Sequence, residues 1–540
     1  MKGKINMIYR QLLTILFSLF TLGICQAAAT PVPDLLTPAG SRLLLDSRDI
    51  PWDQLTPEQQ TTFHQEETHL GLPHNALPTL RTLLRDSQIA TKHWFVLTLD
   101  FAQRYPMHLE RIQNLPEIPT LRESVKNALT TLNFPEADSL LANAAITLKD
   151  DPANLAPILA FQADLANTRF QYTHAASLFQ QARQLLPDKE HKHYTLWLNR
   201  EQSAWNNQGL RHNDRNALEQ AVTLHREWLT LNPREKNEEE WAENQEELGD
   251  TLETLGLLIK DAETLRLALT THKEALPIRS KNRTSTDWAA HQVQLGELLK
   301  HFGILENDQG FETLQRAALA YKEALKIYTR ERYPYSWART QLQLADLYYY
   351  LGNRDSGTYF FDLGTQIYQQ LLGEYNQERA PFLWAEIQNE FSQTQATLAR
   401  RKHSLSTLRK AIATGREALK EWTLKRLPEN WARAHYNLGL DLIRLGQDAE
   451  EAEPLLEAVT TYQTLLEIPQ TIRGGITQVK IQHKLGRALL ELGKLNHDKA
   501  SLEKAVNVLE TAMPQCEENN DLHEECVEYL QKAKSLLQSP

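Results

Sequence analysis

Few side chains in this sequence have the type and spacing to do chemistry, and each set falls short of a working site. His64-Gln65-Glu66-Glu67-Thr68-His69 superficially resembles a metalloprotease helix. That chemistry needs two histidines four residues apart with a glutamate beside the first, so that both imidazoles share one helix face. That pattern is absent. His191 and His193 could touch a metal, but no third ligand is specified nearby. Cys516 and Cys526 could bridge, tying the last repeat helix to a terminal helix, or stay as two thiols with one buried. No phosphate-binding glycine loop, nucleophile elbow or Cys-x-x-Cys pair occurs. The sequence therefore offers no catalytic residue, metal ligand set or cofactor site.

The elements that would position any site are repeats. Trp241, Trp288, Trp337, Trp384 and Trp431 return in steps of 47, 49, 47 and 47 residues, and a further step of 47 reaches Gln478. Seven units of about 47 residues run from about Tyr194 to Cys516, the pattern of a solenoid. Seven residues after each Trp stand Leu248, Leu295, Leu344, Phe391, Leu438 and Leu485. That spacing keeps them on the Trp side of a helix, so the tryptophans read as packing anchors rather than as a sugar- or base-stacking ladder. Beside them Gly249, Gly296, Ala345, Ser392, Gly439 and Gly486 would let a second helix approach closely.

Gly256, Gly303, Gly352, Gly446 and Gly493 read as left-handed caps ending the first helix of each unit, with Ala399 as an exception whose turn is strained or built differently. A loop of about eight residues is expected next, with Thr264, Thr313, Thr407 or Ser501 capping the second helix. Pro334, Pro381 and Pro428 pre-set the next helix start. Glu201 stands where leucine is expected and predicts a looser interface in the first unit.

Lys2, Lys4 and Arg10, the apolar run Leu12 to Ile24 and Ala27-Ala28-Ala29 make residues 1–29 read as a cleaved secretory signal. The run is too short for a comfortable membrane span, and no later stretch could cross a bilayer. Cys25 could carry a lipid, but bulky Ile24 before it departs from a lipobox. The reading is an exported protein, periplasmic or secreted. Residues 30–50, with three prolines, read as an extended leader, and 51–125 as short proline-broken helices. Conventional repeats fill 126–193, long repeats 194–515, and a capping helix 516–540. A net charge of −11 argues against a nucleic-acid or anionic-membrane partner.

The run Leu295-Gly296, Gly303, Ala317, Tyr321 and Ala324-Leu325 resembles the tetratricopeptide repeat family. Trp337-Ala338 after Arg330-Glu331-Arg332 is similar to a longer-period bacterial subgroup. Gln292 departs from the family's aromatic slot, as do Gln245, Gln341, Gln388 and Gln482. The resemblance implies an all-α, right-handed superhelix of antiparallel helix pairs, no catalysis, and a partner protein or peptide in a concave groove. It places groove residues two, five, nine, twelve and thirteen positions after each Trp. These include Glu243, Glu246, Asp250 and Glu253, then Glu297 and Lys300, then Arg339, Asp346, Tyr349 and Tyr350. Arg433, Tyr436, Arg444, Lys480, His483 and Arg487 follow, so the expected groove runs from acidic through aromatic to basic. Two other functions compete: an envelope-assembly or secretion accessory, and an enzyme whose site lies in 51–125 with the repeats as a recruiting arm.

Overall fold

A computed structural model describes residues 37–538 except 49, 51, 71, 119, 280–284, 307–309 and 517–519. The expected signal segment, Cys25 and most of the leader's prolines lie outside the described residues. The chain divides into two compact units, Met1–Leu347 and Tyr348–Pro540. Among the described residues the structure is all α-helix with a few short 3-10 turns and no strand. Helices pack in consecutive pairs, which places it in the α-solenoid class.

The first unit begins with α1 (Pro38–Asp46), α2 (Pro57–Leu70), α3 (Ala76–Asp86), α4 (Trp94–Arg111) and α5 (Leu121–Thr130). It continues with α6 (Phe134–Thr147), α7 (Pro152–Thr168), α8 (Tyr172–Gln184), α9 (Tyr194–His212) and α10 (Arg215–Leu231). Then come α11 (Glu238–Ile259), α12 (Ala262–Arg279), α13 (Ser285–Leu305), α14 (Gly310–Leu325) and most of α15 (Pro334–Arg354). The second unit takes the end of α15, α16 (Tyr359–Glu374), α17 (Pro381–Lys402), α18 (Leu405–Ala418) and α19 (Pro428–Ala449). It ends with α20 (Ala452–Glu467), α21 (Gln478–Asn496), α22 (Lys499–Cys516) and α23 (Asn520–Gln538).

Residues 38–46, expected to be extended, are helical instead. Pro38 sits at the first helical position, where its missing N–H costs nothing, and the Thr37 hydroxyl accepts from the Gly40 N–H at 3.0 Å. Pro381 and Pro428 likewise start α17 and α19.

The turn within a pair differs from the expected glycine cap and long loop. Gly256 lies inside α11, and the left-handed residue is Lys260, at φ 55°. The Asp261 N–H then donates back to the Gly256 carbonyl at 2.8 Å, the longer bond of a Schellman turn. Asp261 itself caps α12, accepting from the Thr264 N–H at 2.8 Å. So two residues connect the helices, and the capping group stands three positions before the hydroxyl. Ser404 and Asp498 do the same for Thr407 and Ser501. His403, at φ 48°, follows Ala399 in the same way, so that turn is neither strained nor differently built. What Gly256 supplies is space, because a Cβ there would lie 2.8 Å from Leu265 Cδ2.

The small residues beside each packing leucine do permit close approach. A Cβ at Gly249 would lie 2.5 Å from His272 Nε2, and one at Gly439 would lie 2.6 Å from Tyr462. Trp241 packs on Ala242, Ala275 and Ile278, and Trp431 joins the core of the second unit. Glu201 does not loosen its interface. It is 2% exposed and receives Arg183 at 2.9 and 3.1 Å, a buried ion pair between α8 and α9.

Candidate functional site

The expected groove positions fall on the first helix of each pair, and the two units treat them differently. In the first unit, α11 and α13 face each other through ionisable side chains. Glu246 Oε1 meets His291 Nδ1 at 3.1 Å, and Glu253 Oε1 meets His301 Nδ1 at 2.8 Å. From α13 to α15, Lys300 Nζ donates to Asp346 at 2.9 Å and to Gln343 at 2.8 Å. Asp250 is 2% exposed and its Oδ1 lies 3.3 Å from His272 Nε2 on α12. Glu246, Glu253 and Lys300 are buried as well, while Glu243, Glu297, Arg339 and Asp346 are half-buried.

Loss of water around these groups sets their protonation. Burial, with Glu253 and Glu246 nearby, pushes the Asp250 carboxyl up to about 7 against the pull of His272. Burial also pushes Glu297 up to about 7, opposed by Lys300. For His272, burial opposes the charged ring, but the hydrogen bond and charge of Asp250 outweigh it, so its affinity for a proton rises. This part of the strip can hold cations within itself: protons, a lysine or a metal ion.

In the second unit the same offsets carry positive charge nearer to water. Arg433 on α19 and Lys480 on α21 are exposed, and Arg444 and Arg487 are half-buried. The two helices are in contact, and Arg487 donates to Gln447 at 2.8 Å across them. Arg433 lies 5.9 Å over the Trp422 ring, and Arg444 donates to Asp448 one turn on at 2.5 Å. His483 is fully buried, stacked on Tyr529 at 5.3 Å, and burial beside Lys484 lowers it to about 4. Tyr436 is half-buried and packs edge-on to Tyr462. Tyr349 and Tyr350 meet edge to face at 5.6 Å, with Tyr349 also reaching Phe361.

Sequence spacing missed His272 and His291, although the signal was present: His272 occupies the second-helix slot that Tyr321 and Tyr462 fill in other pairs. It also missed His74. The turn after α2 brings that imidazole to 4.0 Å from the His64 ring, and Glu67 lies between them, with His64 Nδ1 at 2.8 Å. Glu67 is already occupied, however, accepting from the Leu77 N–H at 2.9 Å and the Asn75 N–H at 3.2 Å, so it serves as a cap for α3. Cys516 and Cys526, both buried, sit as a disulfide pair between α22 and α23.

No protein-family model matches the chain, and no curated protein sequence matches it. Solved structures do. The Signal Transduction ATPase with Numerous Domains protein with a tetratricopeptide repeat sensor from Pyrococcus horikoshii has 14% identity, with 92% of this chain and 74% of that chain covered and a TM-score of 0.42. The human IFIT1 dimer with m7Gppp-AAAA has 13% identity over 82% of this chain and 95% of that chain, at 0.34. Yeast Tom70 has 14% identity over 77% and 95%, at 0.25. Every one of these scores is below 0.5.

Proposed function

We propose that the chain is an exported, non-catalytic scaffold of the tetratricopeptide kind, which holds an acidic segment of a partner protein against the basic strip of its second unit. The observation that carries this reading is the exposure of Arg433 and Lys480 on two touching first helices whose packing residues, Leu438, Leu442, Leu485 and Leu489, are all buried. Two exposed positive charges on neighbouring helices, one of them over the buried Trp422 ring, suit a carboxylate-bearing peptide. The acidic strip of the first unit is a weaker docking candidate for basic groups, because Glu246, Asp250 and Glu253 already have histidine partners. Glu243, half-buried, remains a reachable carboxylate.

Export rests on the basic and apolar composition of residues 1–29. N-terminal sequencing of the protein from its own cells tests it, and an intact Met1 would refute cleavage. Binding is tested by affinity capture from an envelope extract with the wild-type chain and the Arg433→Glu/Lys480→Glu variant side by side. A partner retained by the first, lost by the second and released by moderate salt supports the reading. Equal retention by both would refute it.

A further inference from the structure

Among the described residues, Asp250, Glu253 and His272 each offer one ligand atom, and these atoms lie within 4.8 Å of one another. All three side chains are buried. Asp250 Oδ2 and His272 Nδ1 have no hydrogen-bond partner among the described residues, although both side chains are more than nine-tenths buried. A buried carboxylate oxygen left without a donor is costly, and native proteins rarely keep one unless something else occupies it.

This pair differs from the two whose first-helix glycine is covered by tyrosine, although the preceding pair also carries a histidine, His225, in the same second-helix slot. The slots held here by Asp250, Glu253 and His272 hold Glu297, Lys300 and Tyr321 in the next pair, and Leu440, Ile443 and Tyr462 in the fourth pair after this one. Where the pairs at Gly296 and Gly439 place a phenol over the glycine of the first helix, and the pair at Gly486 places Leu509, this pair places an imidazole, and Gly249 clears the space for it. One imidazole and two carboxylates suit a borderline divalent transition metal such as Zn2+. Glu253 is also steadied from outside by His301 at 2.8 Å, as carboxylate ligands usually are. By contrast, the His64, Glu67 and His74 cluster has its central carboxylate committed to backbone N–H groups.

We propose that Asp250, Glu253 and His272 form a divalent transition-metal site that clasps α11 to α12. The ion neutralises two neighbouring buried carboxylates and takes up the unpartnered oxygen of Asp250, so it stabilises the pair instead of performing a reaction.

The test uses the full chain, stripped with chelator and desalted, with Zn2+ alone as the probe. Bound zinc is counted by elemental analysis and affinity is measured by calorimetry. His272→Tyr is the informative variant, because tyrosine is the side chain the pairs at Gly296 and Gly439 carry over the equivalent glycine; Asp250→Asn serves as a second, isosteric one. The expected result is one tightly held Zn2+ per chain and a rise in melting temperature on adding it. Both variants should stay helical by circular dichroism, lose at least tenfold in affinity and lose the rise. Three results would overturn the proposal. The wild-type chain could retain no zinc, a helical His272→Tyr chain could retain it undiminished, or the ion could survive His272→Tyr and vanish in His74→Ala.

Discussion

The acidic strip of the first unit and the basic strip of the second occupy equivalent positions on their helices, yet they use charge differently. In the first unit, α11, α13 and α15 turn ionisable groups toward one another, and the carboxylates of the strip are largely paired with its own histidines and lysine. In the second unit, Arg433 and Lys480 stand in water, and the contact between α19 and α21 is carried by apolar residues beneath them. The lesson is that a charged position on a repeat face does not by itself mark a binding surface. Burial and the neighbouring helix decide whether the charge holds the array together or remains for a partner.

The strongest way to break this contrast is to remove the cation from the first strip. Lys300→Met leaves Asp346 and Glu297 with a lost counter-charge and should cost about 3 kcal/mol, read from chemical denaturation. A loss below about 0.5 kcal/mol would mean that the pair is solvated like a surface bridge. Next in size, Gly249→Ala forces a Cβ to 2.5 Å from the His272 ring and should cost about 1–3 kcal/mol, with Gly439→Ala against Tyr462 as the matching probe in the second unit. Comparable losses in both units would show that the close helix contact is common to them while the charge pattern is not.

A smaller effect depends on pH. The Glu297 carboxyl is raised to about 7 in the folded chain, from an ordinary value of 4.5. A raised carboxylate penalises the folded state as pH climbs from the unfolded value through the folded one, so the penalty is complete above about pH 7. Glu297→Gln should therefore raise the melting temperature relative to wild type more at pH 8 than at pH 5, both in chelator. Equal shifts at the two values would show that the side chain is hydrated. Smallest of all, Arg433→Glu/Lys480→Glu should stay within about 0.5 kcal/mol of wild type per site, because exposed charges contribute little to folding.

Much of the architecture was legible because it is periodic. The leucines seven residues after each Trp and the small residues beside them define one helix face whatever the partner, and they pack as that spacing requires. The turn was misjudged for a physical reason. In the sequence Gly256 suggests backbone freedom, whereas the structure uses it for closeness, and the left-handed position tolerates Lys260, His403, Glu450 and His497. At Glu201 the sequence shows an apolar slot filled by a carboxylate but not the arginine that reaches it from the preceding pair. The site suffered similarly. Offsets place Glu246, Asp250 and Glu253 on α11, but His291 and His301 come from the next pair and His272 from the second helix. Contacts between helices from different pairs leave no spacing signal in either helix alone.

The central claim, that charge is structural in the first strip and available in the second, is tested most directly by capturing partners with two double variants in parallel. Glu246→Gln/Asp250→Asn removes acidic charge without changing side-chain size, and Arg433→Glu/Lys480→Glu reverses the basic charge; circular dichroism confirms that both are folded. The account predicts that the first retains the wild-type partner and the second loses it. Loss of the partner by the first with retention by the second would contradict it.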